Sequence, residues 1–93
     1  MERTIAPVLG MSAKSPLDLL ERLKERNTEV YVKLKDSSEY KGVIEDFDRS
    51  MNIILGEAMQ VNEDGTPLVK YGRIFIRGSN VVYIFTREVG ITL

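Results

Sequence analysis

"EVYVKLKDSSEYKGVIEDFDRSMNIIL", residues 29–55, decides the fold class. At its start Val30, Val32 and Leu34 alternate with Tyr31, Lys33 and Lys35. Successive side chains of a strand point to opposite faces, so this period of two predicts a half-buried strand. Asp36, Ser37 and Ser38 supply turn chemistry, and a second strand follows over "EYKGVIEDFD", residues 39–48. Gly42 in its middle predicts a sharp bend or a close backbone approach. A third strand is predicted over "MNIILGEAMQV", residues 51–61, with Met51, Ile53 and Leu55 on one face and Asn52 and Ile54 on the other. Asn52 is out of place there. Asparagine is a poor strand former, and a valine would fill the position better unless the carboxamide has work to do.

The pattern continues in both directions. "NEDG" (62–65) marks a turn, and "PLVKYGRIFIR" (67–77) is a fourth strand with Gly72 as a flex point. "GSN" (78–80) is a very short link into "VVYIF" (81–85), the fifth. Upstream, "SPLDLLERLKER" (15–26) carries helix punctuation: Ser15 as N-cap, Pro16 in the first turn and Asp18 near the positive end. Leu17, Leu20 and Leu23 form its apolar stripe, widened by Leu19. The expected fold is mostly β: an N-terminal helix followed by a strongly bent five-stranded antiparallel sheet, a small open barrel. Residues 15–86 are expected to form the domain. Residues 1–14 are expected to be a flexible N-terminal tail, because their apolar patch lacks the basic start of a signal peptide. Residues 87–93 are expected to be a C-terminal tail.

A chain of 93 residues fits one domain. A domain this small exposes proportionally more surface, so self-association is a natural aid to stability. Histidine and cysteine are both absent. That excludes disulfides, thiolate nucleophiles, imidazole acid–base chemistry and the usual zinc sites. No catalytic residue, metal or cofactor is expected, and the P-loop pattern is missing. No apolar run approaches the ~20 residues of a membrane span, and the lack of cysteine fits a cytoplasmic setting. The net charge is −1, with a pI near 5.4. A protein that coats phosphates should be basic, so nucleic-acid binding must rest on a local site.

"DFDRSMNIIL" (46–55), followed by "GRIFIRGSNVVYI" (72–84), resembles the two signature segments of the Sm/LSm family, the ring-forming RNA-binding proteins of archaea and eukaryotes. The first segment pairs a bent-strand glycine, here Gly42, with an Asp-x-x-Met-Asn motif, here Asp48, Met51 and Asn52. The second is Ile-Arg-Gly followed by polar residues and an apolar strand, here Ile76 to Asn80 and Val81 onward. "PLDLLERL" (16–23) also looks like the start of archaeal members. The resemblance covers residues 15 to 86. It implies the Sm fold, with the helix across one open end of the sheet. It also implies a ring of six or seven identical subunits, heptamer favoured, closed by the fourth strand of one copy on the fifth of the next. Closure of that kind removes free sheet edges.

The resemblance further implies an RNA pocket made by Ser50, Met51, Asn52, Arg77, Gly78, Ser79 and Asn80, supported by Asp48 and Gly42. Asn52 then has a role, since its amide presents donor and acceptor side by side and matches uracil's N3–H and carbonyl. Cytosine reverses that order, so discrimination needs a neighbour that pins the amide. In the family an acidic residue after Arg-Gly often stands nearby; here Ser79 and Asn80 can each donate or accept. The competing role for Asn52 is to cap the turn after Asp48. Arg77 is expected to lay its flat guanidinium on a base. Relatives often cover the other side with an aromatic or histidine two residues before the asparagine, where this chain has Ser50. Base–aromatic stacking contributes ~1–3 kcal/mol per base, so weaker binding than in those relatives is expected. Arg49 offers a phosphate contact in compensation. Asp48 is expected to accept backbone N–H groups and an arginine, and Gly78 to supply a φ > 0 position.

The expected function is a ring that holds U-rich single-stranded RNA at its pore, as an RNA chaperone or ribonucleoprotein scaffold in RNA processing. The alternative is a ring with weakened RNA binding that serves protein assembly, a reading favoured by Ser50, Ser79 and the acidic balance.

Overall fold

A computed structural model describes residues 15–86; both expected tails lie outside the described residues. The helix α1 spans Pro16–Glu25. Ser15 caps it in extended conformation, its hydroxyl accepting from Asp18 N–H at 3.2 Å. The helix ends where Asn27 turns left-handed (φ 52). Asn27 N–H then donates to Lys24 carbonyl and Thr28 N–H to Leu23 carbonyl, which satisfies carbonyls the helix leaves open. Leu19 and Leu20 are buried, and α1 lies on β2, with Lys24 Nζ 5.9 Å from the Phe47 ring.

Five antiparallel strands follow: β1 Glu29–Leu34, β2 Glu39–Phe47, β3 Ile53–Val61, β4 Pro67–Ile76 and β5 Val81–Phe85. Their order in the sheet is β4-β3-β2-β1-β5. A one-turn 3₁₀ helix, η1 (Gly78–Asn80), makes the link into β5. The β2–β3 ladder shifts register twice, between Lys41 and Val43 and between Ile44 and Asp46. The sheet bends there because two glycines meet: an added Cβ on Gly42 would lie 2.5 Å from the Gly56 carbonyl oxygen and 2.9 Å from Leu55 Cγ. Gly72 is the flex point of β4, at φ +86 and opposite Ala58. Left-handed backbone at that position favours glycine.

The curled sheet and α1 enclose one core: Leu20, Val30, Val32, Ile44, Ile53, Leu55, Ala58, Ile76 and Ile84. Each buried valine, leucine or isoleucine among them contributes ~1.5–3 kcal/mol. Tyr31, expected on the polar face of β1, is buried as well. It stacks on Phe85 (5.2 Å between centroids, 17° between planes), and both pack with Val61 in a second, smaller cluster. The sheet's first strand is therefore covered on both faces. The third strand starts later than its apolar pattern suggests, at Ile53. Met51 has φ 62 and belongs to the preceding turn, while Ile53 and Leu55 do face the core.

The two end strands of the sheet are β4 and β5. All the large exposed apolar side chains among the described residues lie on them: Leu68, Val69, Tyr71 and Phe75 on β4, and Val82 on β5. No helix among the described residues is long and apolar enough to cross a membrane.

Candidate nucleic-acid interface

The turn between β2 and β3 is built around one carboxylate. Asp48 Oδ1 accepts from Ser50 N–H (2.9 Å) and Asn52 N–H (3.0 Å), and Oδ2 accepts from Asn52 Nδ2 (2.9 Å). Two backbone bonds close the same loop, Met51 N–H to Asp48 carbonyl and Asp48 N–H to Asn52 carbonyl. Donors aimed at a carboxylate favour its charged form. The Asn52 side chain first, and then the Asn52 backbone, hold the Asp48 carboxyl below the usual carboxylate range. The carboxylate meets N–H groups of its own loop rather than the expected arginine. These bonds also hold Met51 in the left-handed region, which costs a non-glycine residue free energy. The Met51 side chain packs against the main core and so anchors the loop from below.

The second bond of the Asn52 side chain leaves the loop altogether. Its Oδ1 accepts from Gly78 N–H at 2.8 Å, across 26 residues of sequence. Asp48 can only accept and a backbone N–H can only donate. Turning the amide over would set oxygen against oxygen and NH₂ against N–H, so its orientation is pinned. One donor hydrogen and one acceptor lone pair of the carboxamide remain. Turn-capping and presentation of an edge are thus two jobs of one side chain, and a valine can do neither.

Gly78 is needed for a different reason than expected. Its φ is not positive; Gly65 and Gly72 are the glycines with left-handed backbone among the described residues. A Cβ on Gly78 would collide with the Ser50 carbonyl oxygen and lie 2.8 Å from Met51 C. The two loops touch backbone to backbone, and any side chain at residue 78 would part them. Asn80 is tied into the same corner, donating its N–H to Arg77 carbonyl and accepting from Lys35 N–H, both at 2.9 Å.

The side chains around this junction face solvent. Arg49, Ser50, Arg77, Ser79 and Asn80 are exposed, and Asn52 is half-buried. The structure therefore brings together Ser50, Met51, Asn52, Gly78 and Asp48, with Arg77, Ser79 and Asn80 at the lip. Gly42 stands apart, at the sheet bend, against Gly56 and Leu55. Sequence reading missed the Gly78 N–H as a partner for Asn52, because no local pattern announces a bond over that separation. It also missed an open hollow of about 280 Å³ beside Arg77, lined by Leu34, Tyr40, Tyr71, Phe75 and Asn80 among others. The consecutive apolar residues Ile74, Phe75 and Ile76 of β4 were its signal. No cluster of three potential metal-ligating side chains occurs among the described residues.

The chain is similar to known proteins in sequence and in fold. The family model for the LSM domain matches residues 21–86. A protein of Methanococcoides burtonii, provisionally named snRNP Sm-like protein, is 44% identical over 69 residues, covering 74% of this chain and 92% of the relative. The Sm protein of Pyrococcus abyssii, solved in complex with a uridine heptamer, is similar in structure (TM-score 0.70, 32% identity, 80% of this chain and 100% of that one). A heptameric archaeal Sm protein is also similar (TM-score 0.64, 32% identity, 74% of this chain and 96% of that one).

Proposed function

Because the chain belongs to the LSM family, we propose that it is a ring-forming RNA-binding protein that holds U-rich single strands at a central pore. The observation that carries this reading is the pinned carboxamide of Asn52, with a free donor and a free acceptor, next to the exposed guanidinium of Arg77. Uracil's imide edge fits the first and its π-face fits the second. Ser50, Met51, Gly78, Ser79 and Asn80 complete the pocket, with Asp48 and Gly42 in support. The heptameric Sm relative and the relative bound to a uridine heptamer support the same assignment.

The ring reading rests on the sheet edges. β4 and β5 are the two end strands of one sheet and carry exposed apolar side chains, and such edges invite pairing. Residues 71–77 of one copy pair with 81–86 of the next, and identical subunits close a ring, heptamer favoured. Repetition then sets a copy of Arg77 around the pore, which offsets the net charge of −1 on each chain. Residues 15–86 are the working domain, acting in the cytoplasm without catalysis as an RNA chaperone or ribonucleoprotein scaffold in RNA processing.

The test is fluorescence anisotropy of the purified oligomer with oligo(U), oligo(C) and oligo(A) at several salt concentrations. Oligo(U) should bind best, with affinity falling as salt rises. Arg77→Ala should weaken it about tenfold, the loss of one stacking contact. Absence of binding to all three strands by an intact ring would leave a protein-assembly scaffold as the function.

A further inference from the structure

The edge that Asn52 leaves free fits more than uracil, provided the site is the RNA pocket proposed for it. Asp48 Oδ2 holds Nδ2 at 2.9 Å and Gly78 N–H holds Oδ1 at 2.8 Å, so the polarity of the amide is set before any base arrives. A base in the amide plane must bring an acceptor to Nδ2 and a donor to Oδ1, in that order. Uracil brings O4 and N3–H. The Watson–Crick edge of guanine brings O6 and N1–H, likewise a carbonyl beside a ring N–H on a six-membered ring, with an amino group where uracil has O2. Adenine and cytosine bring an exocyclic amine and a ring nitrogen, the opposite order. They match only when turned over, with the sugar leaving on the other side, and a strand that runs one way past every copy of the site does not permit that.

Among the described residues, those that flank the amide do not restore a preference for pyrimidines by size. Ser50, Ser79 and Asn80, which flank Asn52 in the two loops, are short or exposed and none walls off a longer ring. The exposed Arg77 guanidinium gains overlap from a purine rather than losing it. We infer that this site accepts guanine alongside uracil and rejects adenine and cytosine, so that its RNA targets are tracts of mixed G and U. Asp48 is a positioning residue in this selection: it acts through the orientation of Asn52.

The experiment is competition on the full-chain oligomer. A labelled all-U strand is displaced by unlabelled strands of equal length, either all-U or alternating G/U, A/U or C/U. The G/U strand should compete within about threefold of all-U, and the A/U and C/U strands about tenfold less well, the usual discrimination from a bidentate pair. A G/U strand as weak as the A/U strand, with all-U still tight, overturns the inference and leaves uracil binding standing. Failure of every strand, all-U included, overturns both. Asp48→Asn replaces the acceptor-only partner with one that can donate or accept and lets Asn52 turn. In that variant the A/U and C/U strands should approach the G/U strand. An equal loss on all strands, with their ranking unchanged, would mean that amide polarity does not select the base. If that variant does not assemble, the ranking of strands on the unaltered protein decides the matter.

Discussion

The junction of the two loops and the outer edge of the sheet are opposite solutions to the same problem, what to do with polar backbone at the end of a strand. At the junction, Asp48, Asn52 and Gly78 satisfy one another through directional bonds of 2.8 to 3.0 Å. Only a narrow, oriented edge is left over. On β4 nothing among the described residues plays that part: its outer backbone is the end of the ladder, and Leu68, Val69, Tyr71 and Phe75 stand in solvent. One region is completed by its own chain, and little of it is left free. The other is incomplete, and unpaired strand backbone beside apolar surface is completed by another strand. Under the proposed function, recognition of a base and recognition of a subunit belong to different regions, and they can be broken separately.

The largest effect is expected at the edge. Phe75 is 63% exposed, and Phe75→Asp would force a charge into any interface formed on β4, at a cost of several kcal/mol per contact. Native mass spectrometry should then show monomers, while circular dichroism still reports a folded sheet. A persistent ring would place the interface elsewhere. Next is Gly78→Ala, which presses a methyl into the Ser50 carbonyl and breaks the bond to Asn52. Overpacking costs ~1–3 kcal/mol, so oligo(U) affinity should fall about tenfold with the ring retained. An unchanged affinity in anisotropy would mean that the loops need not touch.

Ser50→Tyr sharpens the comparison in the favourable direction. A ring at residue 50 should face the base from the side away from Arg77 and tighten oligo(U) binding by roughly 1 kcal/mol, less the entropy of ordering the new side chain. A weaker affinity in an intact ring would place the base away from residue 50. The smallest effect is with pH. The Asp48 carboxyl is held low by its bonds from Asn52, so what it contributes is present above the ordinary carboxylate range and lost only as pH falls through its own depressed value. Oligo(U) affinity should therefore stay level from neutrality down to that range and drop below it, while Asp48→Asn should show a flatter acid limb. A midpoint near neutrality would assign the proton to another group.

Strand period, helix cap and bend were legible in the residues themselves because each is a local matter. Alternation places Val30 and Val32 inward whatever surrounds them. Ser15 finds its acceptor role three residues away. Gly42 marks a place where no side chain fits. The resemblance of "DFDRSMNIIL" and "GRIFIRGSNVVYI" to a known pair of segments likewise pointed to the right family. Local patterning misled in two places. The apolar run from Met51 was read as strand, but the Asp48 carboxylate captures the backbone N–H groups of Ser50 and Asn52 and turns the chain. Tyr31 was read as solvent-facing, but Phe85 arrives from the far end of the domain to cover it.

What the sequence by itself determined, then, is what local pattern dictates: one helix, five strands and the bend. Only the tertiary structure decided that Asn52 points its oxygen at Gly78, that Gly78 is glycine for want of space rather than for a positive φ, and that the apolar residues of β4 are left outside. Those outcomes depend on how far the sheet curls, which is set by the packing of the whole core and not by any one segment. Contacts between residues distant in sequence exist only after that curl has brought them together, and no local pattern specifies their atoms.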